Sequence, residues 1–391
     1  MTAYYVTLFV LALVSTWWIF KKVLKIAVDK NIVDNPDARK LQKTPVPVLG
    51  GVAVFFGMVV AMTVSGMMFD CHALLPVIGL MTIMLYVGTM DDILSISPYT
   101  RLLIEIAVVL VLIFSNGTSL NSFHGLFGIW ELPNWFAVPL TVFACVGIIN
   151  AINFIDGVNG LSSGYCISAC VVFAIAFIWA GDQFGAALSL LSIGALVPFF
   201  CHNVFGRKSK MFIGDGGTML MGTVMSAFVI EALNGNSVLA SKVDSDFGLI
   251  PFALAVLAIP VFDTLRVVAM RIIRRTSPFN PDKTHLHHLL LDMGFSHVGT
   301  TAVEILTNLM VIGAWFISYK AGVSLNMQLS VVILLGVGVT FGFYKFCRIH
   351  QRKNTKFYQW MQHIGKLTHV GHKHWFESFR NFLDRGCSDD I

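Results

Sequence analysis

Carboxylate side chains occur in this chain where they could hold a cation or a phosphate. Asp91 and Asp92 are adjacent and follow directly on an apolar run over residues 73–90. One Asp at the centre of a membrane helix costs roughly 2.5–3.5 kcal/mol, so an adjacent pair indicates a helix end, a bound cation or both. We therefore treat this pair as the first candidate catalytic element.

A second polar cluster follows the apolar run over residues 134–152. Asn153, Asp156 and Asn159 stand three residues apart around a glycine-broken turn. One face of that turn could present two amides and a carboxylate to a common ligand, because glycine lets the backbone approach closely. An ordinary Asx–glycine turn is the structural alternative.

A third carboxylate, Asp215, lies in a Gly-Asp-Gly-Gly turn that opens another apolar run. It could simply cap that helix. It also suits a carboxylate that holds Mg²⁺ beside a phosphate, since a helix N-terminus favours anions. No GxxxxGK[ST] loop is present, so the turn is not of the P-loop type.

The fourth cluster mixes an acid with basic residues. Asp263 and Arg266 lie near the end of the run over residues 248–270, and they form either part of a binding site or a satisfied ion pair. His285, His287 and His288 follow in a basic, proline-initiated segment that is typical of an anion site. No HExxH or CxxC spacing accompanies them, which disfavours zinc.

The composition puts these clusters in a membrane protein. Of the 391 residues, 56% are hydrophobic and 13% charged, outside the range of soluble proteins. A transmembrane helix needs about 20 apolar residues, and we predict an all-α polytopic membrane protein with eleven such helices. The predicted spans are 4–20, 47–68, 73–90, 102–116, 134–152, 164–180, 184–202, 217–233, 248–270, 300–319 and 327–346.

The distribution of positive charge predicts how these helices are oriented. With the N-terminus outside, 25 of the 27 Lys and Arg residues lie in or next to the inner segments, and only Lys242 and Lys320 lie outside. Cytoplasmic loops carry the excess of Lys and Arg, so we expect a cytoplasmic C-terminus. The chain then divides into a transmembrane catalytic domain, residues 1–346, and a basic amphipathic cytoplasmic tail, residues 347–391. The tail either lies on an anionic membrane surface or packs on the inner loops.

All the polar clusters fall at inner ends of predicted helices. Carboxylates and amides are the oxygen ligands that Mg²⁺ prefers, usually together with waters and substrate phosphates. The Lys, Arg and His residues would offset phosphate charge; Lys43 of the first inner loop is one of them, or else an interfacial anchor. This combination indicates phosphoryl transfer between a soluble and a lipid substrate. An ion-coupled transporter, the alternative class, would carry its carboxylates at mid-membrane.

In their order, these motifs resemble those of the polyprenyl-phosphate N-acetylhexosamine-1-phosphate transferases. Besides the Asp pair, the resemblance is carried by KTPVPVLGG (43–51), NAINFIDGVNG (150–160), FIGDGG (212–217), PVFDTLR (260–266) and PFNPDKTHLHHLLLDMGF (278–295). It implies a multi-pass bacterial inner-membrane protein with its active site on cytoplasmic loops and no nucleic-acid partner. The implied reaction transfers GlcNAc 1-phosphate from UDP-GlcNAc to undecaprenyl phosphate with Mg²⁺ or Mn²⁺, releasing UMP and initiating a cell-surface glycan such as O antigen.

The resemblance also implies roles for single residues. Asp91 orients or deprotonates the lipid phosphate, Asp215 binds the metal, and Asp156 belongs to the catalytic loop. We expect Asp92 to give a supporting or metal contact. Many bacterial members carry Asp where this chain has Asn159, which can ligand a metal through its carbonyl oxygen but cannot act as a base near neutral pH.

The histidine motif matches the site for the nucleotide-sugar diphosphate or its sugar, and its HLHH pattern favours a simple UDP-N-acetylhexosamine, GlcNAc or GalNAc. We expect direct in-line attack of the lipid phosphate on the β-phosphorus of the donor. A covalent aspartyl-phosphate route stays open. So does the choice between a monomer and a homodimer.

Overall fold

The computed structural model describes residues 2–36, 44–277 and 283–387. Those ranges are almost entirely helical, and their strands are one short antiparallel pair, β1 (Val33–Asp34) and β2 (Val46–Pro47). The helices are α1 (Thr2–Asp29), α2 (Gly50–Ser65), α3 (Leu75–Leu94), α4 (Pro98–Asn116), α5 (Asn134–Phe154), α6 (Leu161–Ala180), α7 (Gln183–Phe205), α8 (Gly214–Leu233), α9 (Val238–Lys242), α10 (Leu249–Val256), α11 (Ala258–Ile273), α12 (Leu286–Asp292), α13 (His297–Lys320), α14 (Leu325–Val337), α15 (Tyr344–Arg352), α16 (Lys356–Leu367) and α17 (His374–Asp384). The predicted all-α class is confirmed.

Nine helical segments of the described chain are long and apolar enough to cross a membrane. A tenth is formed if α10 and α11, which are bent by 76° at a short break, count as one span. The remaining predicted span corresponds to α2, an apolar helix of 16 residues. All eleven apolar runs are therefore helical, and at least nine of them have the length of a membrane crossing.

The bend between α10 and α11 has a local cause in the sequence. Pro260 has no backbone N–H, and its ring would clash with the carbonyl of Val256 in a continuous helix. The freed Val256 carbonyl accepts hydrogen bonds from Asn308 Nδ2 (2.9 Å) and the Tyr165 hydroxyl (2.6 Å). Buried polar side chains thus satisfy the break, as the interior of a membrane protein requires.

Helix α8 lies at the centre of the bundle, with 94% of its most apolar stretch buried. Its small residues let the neighbouring helices approach closely: a side chain at Gly217 would overlap Gly51 of α2, and one at Gly222 would overlap Ile149 of α5. Its N-terminus packs in the same way on α3, where Gly88 lies against the backbone of Asp215 and Gly216. The helix that carries Asp215 is therefore fixed on several sides.

The C-terminal tail packs on the polar ends of the bundle. A helical segment runs from Leu325 through a π-helical stretch, Gly338–Phe343, to Arg352, beyond the predicted domain limit at residue 346. Helix α17 then packs on the end of α7, and its Phe376 and Leu383 are buried. These contacts match the alternative in which the tail packs on the inner loops. The division into two domains stays a prediction.

Candidate active site

Asp92 joins the end of α3 to the start of α8. Its Oδ2 accepts a hydrogen bond of 2.9 Å from the backbone N–H of Asp215. Gly214, just before, has φ +73°, and a side chain there would meet the Asp92 carboxylate. Asp92 thus acts as a helix cap supplied by a distant residue, which satisfies an N–H group that the helix leaves without an internal partner. Its predicted metal contact stays a prediction.

Asp91 and Asp215 are brought together by an arginine that our sequence analysis did not include among the site residues. Arg101 Nη1 lies 3.3 Å from Asp91 Oδ2 and 3.5 Å from Asp215 Oδ2. The backbone N–H of Ile96 donates to Asp91 Oδ1 at 2.8 Å. The Asp91 carboxylate is therefore held in a fixed direction, and one guanidinium neutralises charge on two acids from different helices.

A buried carboxylate supports this arginine in turn. Arg101 Nε donates to Glu105 Oε1 at 3.0 Å, one helical turn along α4. Asn150 Nδ2 donates to Glu105 Oε2 at 2.5 Å and links the pair to α5. The sequence carries a signal for two of these residues, since Arg101 is the only Lys or Arg in the predicted inner loop 91–101 and Glu105 follows it at the i, i+4 spacing of a helical ion pair.

Asn153 connects α5 to Asp215. Its Nδ2 donates to Asp215 Oδ1 and to Thr218 Oγ1, both at 2.8 Å. Because the amide nitrogen is used in this way, its carbonyl oxygen is directed elsewhere and remains an acceptor or metal ligand. Asn153 is thus joined to Asp215 directly, and the prediction that Asn153, Asp156 and Asn159 share one ligand stays a prediction.

Asp156 follows in the turn between α5 and α6, with its side chain open to solvent. The Ser162 hydroxyl donates to Asp156 Oδ1 at 2.5 Å. The protein packed around this carboxyl, and after it the negative charge of Asp215, raise the pKa of Asp156, while the bond from Ser162 lowers it. Solvent that reaches the Asp156 side chain reduces this rise in its pKa.

The same turn reaches the histidine motif. Gly157 lies so close to the His287 ring that a side chain on Gly157 would overlap it. The ring centroids of Phe154 and His285 are 6.0 Å apart. Residues 153–160 thus separate an acidic half of the site, around Asp215, from a histidine half.

Asp263 is the buried centre of the histidine half. Its Oδ2 lies 2.8 Å from His285 Nδ1, and its Oδ1 accepts a 2.6 Å bond from Arg266 Nη2. The Asp263 and Arg266 side chains are only 3% and 4% exposed, and the Arg266 guanidinium stacks 3.9 Å from the ring centroid of Tyr344. Asp263 and Arg266 thus form an ion pair that holds the start of α12 against α11, and their part in substrate binding stays a prediction.

His287 and His288 differ in their surroundings. His287 is 2% exposed; burial, and next the neighbouring His288 and His285, hold the pKa of His287 well below its usual range. Burial thus disfavours the charged form of His287, and its part in offsetting phosphate charge stays a prediction. The ring centroids of His287 and His288 are 4.4 Å apart, and His288 is partly exposed.

The backbone of Asn159 is anchored to α13. Its N–H donates to His297 Nδ1 at 3.3 Å, and its carbonyl accepts from the Thr301 hydroxyl at 3.0 Å. Lys43 lies outside the described residues, and its role in phosphate binding stays a prediction. The segment that follows it, Val46–Leu49, precedes the Gly50 and Gly51 amides, which donate to the carbonyls of Phe212 and Ile213 just before α8.

The acidic half suits a divalent cation by its donor chemistry. Among the described residues, no three Asp, Glu, His or Cys side chains already converge on one metal position. Mg²⁺ does not require such a cage, because it is usually held by one or two carboxylates with waters and substrate phosphates. Asp91, Asp92 and Asp215, with Arg101 as the cation between two of them, leave excess negative charge that fits an added cation.

A polytopic helical membrane protein with an acidic and a histidine-lined half-site at its helix ends is the class that this structure defines. Residues 74–233 match the family model described as Glycosyl transferase family 4. A Bacillus subtilis (strain 168) protein described as a probable undecaprenyl-phosphate N-acetylglucosaminyl 1-phosphate transferase is 32% identical over 294 residues, 75% of this chain and 78% of the relative. The undecaprenyl-phosphate alpha-N-acetylglucosaminyl 1-phosphate transferase of Yersinia pestis is 29% identical over 80% of this chain and 85% of its own length. That of Escherichia coli (strain K12) is 31% identical, with coverages of 70% and 72%.

The chain therefore belongs to the polyprenyl-phosphate N-acetylhexosamine-1-phosphate transferases, and the resemblance inferred from the motifs is confirmed.

Proposed function

We propose that this protein transfers N-acetylglucosamine 1-phosphate from UDP-GlcNAc to undecaprenyl phosphate, giving undecaprenyl-diphosphate-GlcNAc and UMP. The observation that carries the proposal is the convergence of Asp91 and Asp215 on Arg101, with Asn153 bonded to Asp215, in a chain whose relatives are named for this reaction. Apolar helices end at the same place, so a lipid phosphate and a soluble donor can both reach it.

The proposed step is direct attack. An oxygen of the lipid phosphate forms a bond to the β-phosphorus of UDP-GlcNAc, and the bond from that phosphorus to the bridging oxygen breaks, so that UMP leaves with the electron pair. The attacking phosphate is largely dianionic near pH 7, because its second pKa is about 6. A strong base is therefore not needed, and Asp91, held by Ile96 and Arg101, acts by orienting the lipid phosphate.

Arg101 supplies the positive charge that this arrangement needs. Its Nη2 is buried without a hydrogen-bond partner in the described part of the chain. A guanidinium with a spare donor binds phosphate oxygens strongly. We assign it to the diphosphate or the incoming phosphate, where it offsets the repulsion between two anionic substrates and the Asp cluster.

Asp215 and Asn153 are the residues that would hold Mg²⁺ or Mn²⁺, with Asp91 and Asp92 beside them. When bound, the ion supplies charge neutralisation for the donor diphosphate. Asn159 would support this region as an amide, and His288, with its partly exposed ring, is our candidate for contact with the donor sugar or diphosphate.

We further infer eleven membrane crossings in the bacterial inner membrane, with the N-terminus outside and the site facing the cytoplasm. The nine long helices, the bent pair α10–α11 and the shorter α2 provide that number. The strong asymmetry of Lys and Arg over the loops supports the orientation.

The test is a donor panel. Purified protein in detergent receives undecaprenyl phosphate, Mg²⁺ and one of four labelled donors: UDP-GlcNAc, UDP-GalNAc, UDP-glucose or UDP-MurNAc-pentapeptide. We expect label in a butanol-extractable lipid and release of UMP with UDP-GlcNAc, and loss of both with EDTA. Asp215→Asn should abolish transfer, whereas Asp246→Asn, an exposed acid outside the site, should not. Transfer from none of the donors would overturn the proposal, and a phosphoryl-enzyme trapped without lipid would replace the direct step by a covalent one.

A further inference from the structure

The C-terminal tail contacts two segments that adjoin the site, and neither contact is explained by the chemistry proposed above. Helix α17 binds the loop between α7 and α8, and the connection after α16 binds the start of α13. Hydrogen bonds connect both regions to the turn over residues 153–160, which carries Asp156.

The first contact is made by the Asp384 carboxylate. It accepts hydrogen bonds from three consecutive backbone N–H groups, those of Arg207 (3.2 Å), Lys208 (3.2 Å) and Ser209 (2.9 Å), and from the Ser209 hydroxyl (2.7 Å). Burial alone would raise the pKa of Asp384, but these bonds outweigh it and hold the pKa below its usual range. A charged carboxylate thus fixes the backbone of the loop that leads, six residues later, to Asp215.

The second contact is made by Thr368. Its hydroxyl accepts from the Ser296 N–H at 2.9 Å, and its carbonyl accepts from the Ser296 hydroxyl at 2.7 Å. Close to it, Gly365 packs directly on the backbone of residues 293–295, where an added methyl group would lie 2.8 Å from the Met293 carbonyl oxygen. The tail therefore also fixes the backbone at the N-terminus of α13.

Both fixed segments are connected to the same turn. Next to the first segment, Asn203 of α7 donates to the Met211 carbonyl at 2.8 Å and accepts from the Gly160 N–H at 2.6 Å. Behind the second, His297 accepts from the Asn159 N–H at 3.3 Å. The Asn159 amide is thus held by His297 at the second segment, and the Gly160 amide is held by Asn203 of α7, which also bonds to Met211 just beyond the first segment.

These polar contacts are not needed merely to attach the tail. The Phe376 and Phe379 rings already pack on Phe205, with centroids 5.0 and 5.2 Å away, and apolar burial of this kind is the main source of attachment free energy. Directional bonds to consecutive N–H groups add a defined backbone conformation. The tail therefore has the features of a positioning element.

We propose that the tail is a two-point clamp on the Asp156 turn, with Asp384 and Thr368 as its positioning residues. Neither residue touches the reacting atoms. The catalytic part of this inference rests on the proposed transfer reaction, whereas the structural part does not.

The test combines amide hydrogen exchange with kinetics on the full-length protein in detergent. Asp384→Ala should increase exchange at Arg207–Ser209 and at Gly160 at least fivefold, and Thr368→Ala should do so at Ser296 and Asn159. Both variants should lower kcat for lipid-linked GlcNAc formation at least fivefold, with KM for UDP-GlcNAc within twofold of the wild type. Asp384→Asn, which keeps the acceptor oxygen, should recover part of the loss.

Glu377→Ala is the matched control, since it removes an acid from the same helix, α17, with no hydrogen bond to the loop among those described, and it should leave exchange and kcat unchanged. Unchanged exchange at Asn159 and Gly160 in both clamp variants would overturn the inference, as would an equal effect of Glu377→Ala. If Asp384→Ala fails to fold, Asp384→Asn and Thr368→Ala decide by the same readouts. If the wild type transfers no GlcNAc, the proposed function fails, and the exchange result still decides on the clamp.

Discussion

At the scale of single residues, the site depends on one cation between acids. Arg101 bonds to Asp91, Asp215 and Glu105, and its side chain is 13% exposed. Removing one partner from a buried charge network leaves the remaining charges uncompensated, which typically costs about 3–5 kcal/mol. Arg101 therefore links Asp91 of α3 to Asp215 of α8 and compensates negative charge on both.

We predict that Arg101→Gln lowers kcat/KM for lipid-linked GlcNAc formation by about 100-fold or more, equivalent to about 3 kcal/mol. Arg101→Lys keeps the charge but loses the planar guanidinium, so its kcat/KM should lie between those of the wild type and Arg101→Gln. Transfer of labelled GlcNAc to undecaprenyl phosphate measures both. Arg352→Gln, an exposed charge at the end of α15, is the control, and wild-type activity in Arg101→Gln would refute the role.

At the scale of elements, the contact between α3 and α8 decides where Asp215 lies. Two features of the sequence make it: Gly88, which allows the α8 backbone to touch α3, and Asp92, which caps α8. Because both belong to α3, one helix sets the distance and the direction of approach of the other. The Asp pair thus has divided roles, with Asp91 facing the other site residues and Asp92 holding the helix that bears Asp215.

Gly88→Ala tests this contact. The added methyl group would overlap the backbone of Asp215 and Gly216, and forced overpacking of this kind costs about 1–3 kcal/mol. We expect a lower melting temperature in detergent and a loss of transfer activity that exceeds the loss of folded protein.

The control is Gly79→Ala in the same helix, where no atom lies within 4 Å of the added methyl group. Since Ala favours a helix over Gly by about 0.5–1 kcal/mol, that variant should be as stable as the wild type or slightly more so. Equal behaviour of the two variants would show that the close contact does not position Asp215.

At the scale of the whole molecule, the helices were predictable from the sequence, but the contacts between them were not. Long apolar runs between charged segments determine helices in a bilayer, and glycine or proline positions explain details such as the bend before Pro260. The site residues were recognised by motif, but Arg101 meets Asp215 across 114 positions of sequence, and no local pattern reports such a contact. The lowered pKa of His287 is equally non-local, because it results from burial, and the ring packs against Gly157, 130 positions away.

The orientation of the bundle in the membrane determines on which side every loop lies. If the N-terminus is outside, Asn236 between α8 and α9 faces the periplasm and Lys373 before α17 faces the cytoplasm; both side chains are exposed. In a background with the partly exposed Cys201 and Cys387 replaced by Ser, a cysteine introduced by Asn236→Cys should react with a membrane-impermeant maleimide in cells with a permeabilised outer membrane. One introduced by Lys373→Cys should react only after lysis. The reverse pattern would invert the bundle and put the site on the periplasmic side, away from a cytoplasmic nucleotide sugar. If both cysteines reacted in unlysed cells, the chain would cross the membrane an even number of times between positions 236 and 373. Since α13 and the segment from α14 to α15 account for two crossings, α10–α11 would then not cross as one span.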